Sequence, residues 1–161
     1  MSIKIKIERN IAEKSVKNYV LFCDENFKIN GLAKLSLADK SNIINKTINN
    51  NKIKEENFLS FNINPDQKII LVKLTKDNSQ LENEKIGAKF YDYIKKNSIL
   101  SSTFLEKNIH ELNKKNLNFT DEFFHGVKLK SYDFNKYKSK KKTSYFDIKI
   151  FSKSGLINLH K

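Results

Sequence analysis

The residues of this chain that could do chemistry are few and scattered. His110, His125 and His160 lie far apart along its 161 residues, and Cys23 is the single cysteine. A zinc site needs Cys, His, Asp or Glu in a cluster, so each histidine reads as an ordinary surface or edge residue. Cys23 follows Phe22 in an apolar run, where a buried, inert thiol is expected rather than a nucleophile. No Gly-x-Ser-x-Gly elbow is present. The glycines Gly31, Gly87, Gly126 and Gly155 are dispersed, so no glycine-rich loop offers backbone N–H groups to a diphosphate.

One stretch is richer. Lys128, Lys130, Lys136, Lys138, Lys140, Lys141 and Lys142 are interleaved with Tyr132, Phe134 and Tyr137. Lysines can follow a phosphate backbone while aromatic rings stack on bases, which makes these seven lysines a candidate nucleic-acid contact. In the competing reading, which weighs more, Tyr132, Phe134 and Tyr137 pack the end of a helix onto the sheet and the lysines reach water. The net charge of +13 fits either. Of the 31 basic residues only Arg9 is arginine, the residue suited to bidentate phosphate and guanine contacts. Abundant Asn and Ile, one Pro and no Trp point to an AT-rich coding sequence and a solvated lysine surface. Any nucleic-acid binding is expected to be weak.

Gly126, Val127, Leu129, Tyr132, Phe134, Tyr137, Lys138, Ser139 and Lys140 resemble the pattern that closes the N-terminal domain of cytosolic leucyl aminopeptidases. That pattern reads Gly-hydrophobic-x-Leu-x-x-Tyr-x-Phe-x-x-Tyr-Lys-Ser-Lys. The resemblance implies a macro-domain-like, three-layer fold over residues 1–151, with 152–161 as an exit segment toward a catalytic domain. It implies a parent enzyme that removes leucine-like N-terminal residues from peptides with two divalent ions, zinc or manganese. Both ions would polarise the carbonyl and activate a bridging water. The family's Asn-Thr-Asp-Ala-Glu-Gly-Arg motif is absent here, so no catalytic or metal-ligating residue transfers to this chain and no cofactor is expected in it. The parent would be a cytoplasmic homohexamer held through its catalytic domains. The isolated domain is expected to be a monomer without peptidase activity, its partner being its own catalytic domain. Some bacterial members also bind DNA, in line with the alternative of a basic nucleic-acid-binding module. Ile69-Ile70-Leu71-Val72 leads into Lys73-Leu74-Thr75-Lys76, where relatives carry Gly-Leu-Gly-Lys. A macro-like fold further implies ADP-ribose as a ligand, which the missing glycines oppose.

The length suits one domain, and no apolar run approaches the ~20 residues that span a bilayer. The alternating start Ile3-Lys4-Ile5-Lys6-Ile7 lacks the apolar core of a secretory signal. That alternation predicts a strand with one buried face, and Asn18–Cys23 a strand covered on both. Phe27-Lys28-Ile29 reads as a short hairpin return. A helix is expected from Ser36 or Ser41 to about Asn49. Strands follow at 58–63 and 69–72, turned at Pro65-Asp66. Ile86, Phe90, Tyr93 and Ile94 share one face of a helix over 81–96, whose Gly87-Ala88 would permit close approach to a strand. A strand is expected at 99–105. Thr120 would cap a final helix with Asp121 and Glu122 at its positive end, and Gly126 within that helix would serve close packing. Tyr145–Phe151 alternates as a last strand. Strands alternating with helices predict an α/β class: a three-layer α/β/α sandwich on a mixed, mainly parallel sheet.

Overall fold

The computed structural model describes residues 2–10, 13–29, 31, 38–50, 57–74, 79–114, 118–135 and 145–152. The elements follow the order β1 (Ser2–Glu8), β2 (Asn18–Cys23), α1 (Ser41–Asn50), β3 (Phe58–Asn64), β4 (Gln67–Lys73), α2 (Gln80–Lys96), β5 (Ser101–Leu105), α3 (Glu106–Asn113), α4 (Phe119–Asn135) and β6 (Tyr145–Phe151). Six strands form one sheet in the order β1-β6-β5-β2-β4-β3. All neighbouring pairs are parallel except β3 with β4. The expected mixed, mainly parallel α/β sandwich is therefore the fold.

Strand alternation sorts the core into two layers. Val20, Phe22, Ile70, Val72, Phe104, Phe146, Ile148 and Ile150 face α2, α3 and α4. Tyr19, Leu21, Cys23, Ile69, Leu71 and Leu105 face the other way, where Ile44 and Ile48 of α1 cover them. The continuous apolar runs of β2 and β4 are explained by this, since both faces of each are buried. On the first face the filling is aromatic. Phe22 meets Phe119 and Phe123 edge-on at 5.1 and 5.0 Å, and Phe104 meets Phe124 at 5.2 Å, geometries favoured by the ring quadrupole.

Helices α2 and α4 run parallel and touch backbone to backbone. A Cβ at Gly87 would lie 2.0 Å from the Phe123 carbonyl oxygen, and one at Gly126 would lie 2.0 Å from that of Glu84. Gly126 is thus a packing glycine, as its cost within a helix implies. Gly87 approaches a helix rather than the strand expected for it. Polar pairs line the same seam: Asn83 Nδ2 donates to Glu122 Oε2 at 2.7 Å, and Lys130 Nζ lies 3.6 Å from Asp92 Oδ2.

Two boundaries and one element differ from the sequence expectation. Helix α4 begins at Phe119, so Thr120 sits in its first turn. Strand β5 begins at Ser101 rather than Ile99. The α2 terminus takes Ile99 instead: Ser98 N–H donates to Lys95 O and Ile99 N–H to Ile94 O. This is a Schellman end, with Ile99 and Ile94 both buried. Helix α3 follows β5 with no intervening loop, and it is absent from the sequence reading. With Leu105 just before it, its apolar positions Ile109 and Leu112 keep helical spacing, but over only two turns.

Gly126→Ala is expected to lower unfolding free energy by about 1–3 kcal/mol, because overpacking outweighs the roughly 1 kcal/mol that alanine gains in a helix. Gly126→Val should lower it further. Urea unfolding measures both, and two variants more stable than the parent would remove the seam as a constraint. Ser98 occupies the left-handed region at φ 54°, a conformation that costs a side chain roughly 1–2 kcal/mol. Ser98→Gly should therefore raise the melting temperature, and an unchanged or lower value would contradict that cost.

Candidate functional site

At one end of the sheet, between β2 and β5, the connections reverse direction. The chain leaves β2 through α1 to the edge strand β3 on one side, and from β5 it continues to β6 on the other. Ligands of open α/β sheets bind outside the carboxyl ends of the strands at such a reversal. Here β2 and β5 are paired only at Tyr19 with Thr103 and Val20 with Phe104. Beyond Leu105 the chain bends directly into α3 while β2 runs on to Cys23, so the two strands part.

The gap is filled by a side chain. Asn108, wholly buried in α3, accepts from Phe22 N–H through Oδ1 at 2.8 Å and donates from Nδ2 to Phe22 O at 3.1 Å. Its carboxamide takes the place of a ladder partner that β5 no longer supplies. At the opposite end of the same short pairing, Asn18 Nδ2 donates to Ser101 O at 2.9 Å.

The segment after β2 is also fixed. Asp24 Oδ1 accepts from the N–H groups of Asn26 and Lys28, each at 2.9 Å, and Phe27 is held at φ 61°. Cys23 and Ile29 form a single antiparallel bridge, the remnant of the expected hairpin return. Gly31 lies against α3, where an added Cβ would be 3.0 Å from Glu111 Cγ. Lys73, at the end of β4, places its Nζ 5.2 Å from the Phe27 ring centre. It is one of the two residues standing where the resembled family has glycine; the other, Thr75, lies outside the described residues.

The lysine stretch is divided by the structure. Lys128 and Lys130 lie on α4, two residues apart, so they project from different sides of the helix, and Lys130 is turned toward Asp92 of α2. Lys136, Lys138, Lys140, Lys141 and Lys142 lie outside the described residues, as does Tyr137. The packing expected of Tyr132 is corrected: the residue is 70% exposed, and Leu129, one turn earlier, is 48% exposed. By this point α4 has passed the glycine contact, and these two residues, three apart, share an exposed face of the helix.

Among the described residues no group of three or more His, Cys, Asp or Glu could hold a metal ion. No described helix is long and apolar enough to cross a membrane. His110 is exposed, as expected of a surface residue, and His160 lies outside the described residues. His125 has a partner that spacing alone did not reveal: its Nδ1 lies 2.9 Å from Glu84 Oε1, across the α2–α4 seam. Hydrogen bonds from Gln80 and His125 hold the Glu84 carboxyl below its ordinary range. Burial pushes the Cys23 thiol up to about 12, and the Asp24 carboxylate adds to the shift. Its Sγ lies 3.6 Å from Val72 O, which fits an inert core thiol.

An α/β/α sandwich of this order is the fold of macrodomains, and the resemblances to solved structures agree. No protein-family model matches the chain, and no curated protein sequence does. A tomato leucine aminopeptidase mutant superposes with a TM-score of 0.62 at 17% identity, over 94% of this chain and 33% of that one. The macrodomain of Thermus aquaticus DarG superposes with a TM-score of 0.54 at 9% identity, over 94% of this chain and 99% of that one. The chain thus spans about a third of the aminopeptidase's length and nearly all of the macrodomain's.

Two titrations test this geometry. Cys23 binds its proton more tightly folded than unfolded, so its contribution to stability is complete below the ordinary thiol range and fades as pH rises toward about 12. At pH 8 the native thiol should resist iodoacetamide while the urea-unfolded chain reacts; equal rates would show that the thiol is accessible. The Glu84 shift has the opposite sign. Its contribution is present above the ordinary carboxylate range and is lost as pH falls through the lowered value. Glu84→Gln should therefore flatten the acid limb of the stability curve, and a limb superimposable on the parent's would leave the pair without a role.

Proposed function

We propose that this chain is the non-catalytic N-terminal domain of a cytoplasmic, metal-dependent leucyl aminopeptidase. The observation that carries the reading is the agreement of two independent features. The fold matches a leucine aminopeptidase over 94% of the chain but only 33% of that protein. The run from Gly126 to Lys140 resembles the pattern that ends the aminopeptidases' N-terminal domain. In this reading the two divalent ions, the peptide substrate and the hexamer contacts belong to a catalytic domain beyond these residues. The work of this chain is to fold as a rigid module on the outside of that assembly.

The test joins sequence and assay. The coding region after Lys161 should encode the remaining two thirds or so of an aminopeptidase, including the Asn-Thr-Asp-Ala-Glu-Gly-Arg motif. The longer product should hydrolyse leucine anilide with manganese or zinc, and the 161-residue chain alone should not. Turnover by the short chain that survives repurification would overturn the reading, as would a downstream region with no two-metal motif.

The exposure of Tyr132 favours a second reading, in which the lysine stretch Lys128, Lys130, Lys136, Lys138, Lys140, Lys141 and Lys142 meets nucleic acid. Lysines give point charges that meet phosphates and rarely read base edges alone. Binding should then be insensitive to sequence, with a dissociation constant of roughly 10⁻⁴ to 10⁻⁶ M at physiological salt and a steep loss as salt rises. Titration of a mixed duplex and a defined site at two salt concentrations measures this. Discrimination by about 10³ or more would make recognition of DNA the primary role.

A further inference from the structure

We infer that β3 is a docking edge for a second copy of this chain, which lays its own β3 antiparallel across a two-fold axis and continues the sheet through both copies. β3 is an outer strand, paired only with β4 among the described residues. The bond from Lys73 N–H to Asn57 O sets the phase of that pairing. Leu59 and Phe61 then exchange bonds with Leu71 and Ile69, so the peptide groups of Phe58, Ser60 and Asn62 point away from the sheet. A row of such groups is a template for another strand.

The sequence treats the two edges of the sheet differently. On β1, Lys4, Lys6 and Glu8 alternate with Ile3, Ile5 and Ile7, and charge of this kind protects an edge from unwanted pairing. β3 reads Phe-Leu-Ser-Phe-Asn-Ile-Asn. It holds no charge, proline or glycine, in a chain that is 30% charged. High β-propensity without charge is the composition that pairs with its own kind. A net charge of +13 makes two copies repel, so they approach best along the edge that bears no lysine.

The strand is also complementary to itself. An antiparallel β3 pair centred on Phe61 sets Leu59 opposite Ile63 of the second copy, Phe61 opposite its own counterpart, and Ser60 opposite Asn62. Ser60 and Asn62 both turn their peptide groups outward, so these two exchange N–H to O bonds. Leu59, Phe61 and Ile63 all pack on the layer that holds Ile44 and Ile48 of α1, so apolar residues meet on one face. A centre at Ser60 would put Asn57 opposite Ile63, and a centre at Asn62 would put Pro65 opposite Leu59. A centre between residues would set outward peptide groups against inward ones. Only the Phe61 register gives every apolar residue an apolar partner. A single strand pair covers less than the ~1,200 Å² of a standard interface, so the dimer is weak and the dilute chain stays monomeric, as its charge implies. The inference is independent of the aminopeptidase reading.

Sedimentation equilibrium from micromolar to millimolar concentration tests it on the parent chain. The mean mass should rise from one chain toward two, and rise further with added salt, which screens the repulsion. Ser60→Lys changes an exposed residue whose peptide bonds β4 does not use. It should keep the parent's circular dichroism and weaken the dimer about tenfold or more. Cys23 is buried, so an introduced cysteine reports the register. In Phe61→Cys the facing Cβ atoms would lie roughly 4.5–5.5 Å apart and should form an intermolecular disulfide under mild oxidation. In Ile63→Cys the two thiols are out of step and should not. A mass of one chain at every concentration and salt would overturn the inference without recourse to any variant. A dimer unchanged in folded Ser60→Lys would overturn it as well, as would cross-linking by Ile63→Cys in place of Phe61→Cys.

Discussion

The crossing of α2 and α4 sets the terms for one whole face of the sheet. Both helices carry large aromatic residues toward β2, β5 and β6, among them Phe90, Phe123 and Phe124. Side chains of that size fit under two adjacent helices only if the helices need little room between them. Gly87 and Gly126 supply that condition, each giving the space of its missing Cβ to a carbonyl of the other helix. The Asn83–Glu122 and Glu84–His125 contacts then fix the register along the seam. Burial of Asn83 at 1% exposure is tolerated because Glu122 satisfies its amide. Sliding one helix along the other would break both polar pairs and drive a Cβ-bearing residue into backbone.

Much of this architecture was legible because the strands state their environment. Val20 to Cys23 and Ile69 to Val72 are apolar without alternation, which only a doubly covered strand tolerates. Tyr145 to Phe151 alternates, and only Phe146, Ile148 and Ile150 are buried. What escaped notice is structure made by contacts between distant segments. Helix α3 is too short for its periodicity to stand out from β5, and its Leu105–Ile109–Leu112 spacing merges with the preceding apolar run. Asn108 and Asn18 look like two more asparagines in an asparagine-rich chain. Their roles appear only when residues 83 and 86 positions away are placed beside them.

Tyr132 departs from the sequence expectation for a related reason. An aromatic residue in a helix is ordinarily read as core, and Phe123 and Phe124 obey that rule. Tyr132 lies two turns beyond Phe124, on a part of α4 whose outward face is covered by no described element. Helical periodicity predicts which residues share a face but not how far the covered face extends. The distribution of charge was equally hard to foresee. Lys128 and Lys130 look like a pair in sequence, yet Asp92 draws Lys130 toward α2.

The two structural likenesses present the same fold once as a third of a larger protein and once as nearly a whole one. Fold alone therefore does not decide between a scaffold and a receptor. What the described residues do show is how the middle of the sheet is held. Beyond its short β5 pairing, β2 gives both peptide groups of Phe22 to the Asn108 carboxamide, and α3, which bears that asparagine, starts directly at the end of β5. The central strand is thus tied to a helix where the neighbouring strand stops, and a buried peptide that would otherwise lack partners is satisfied.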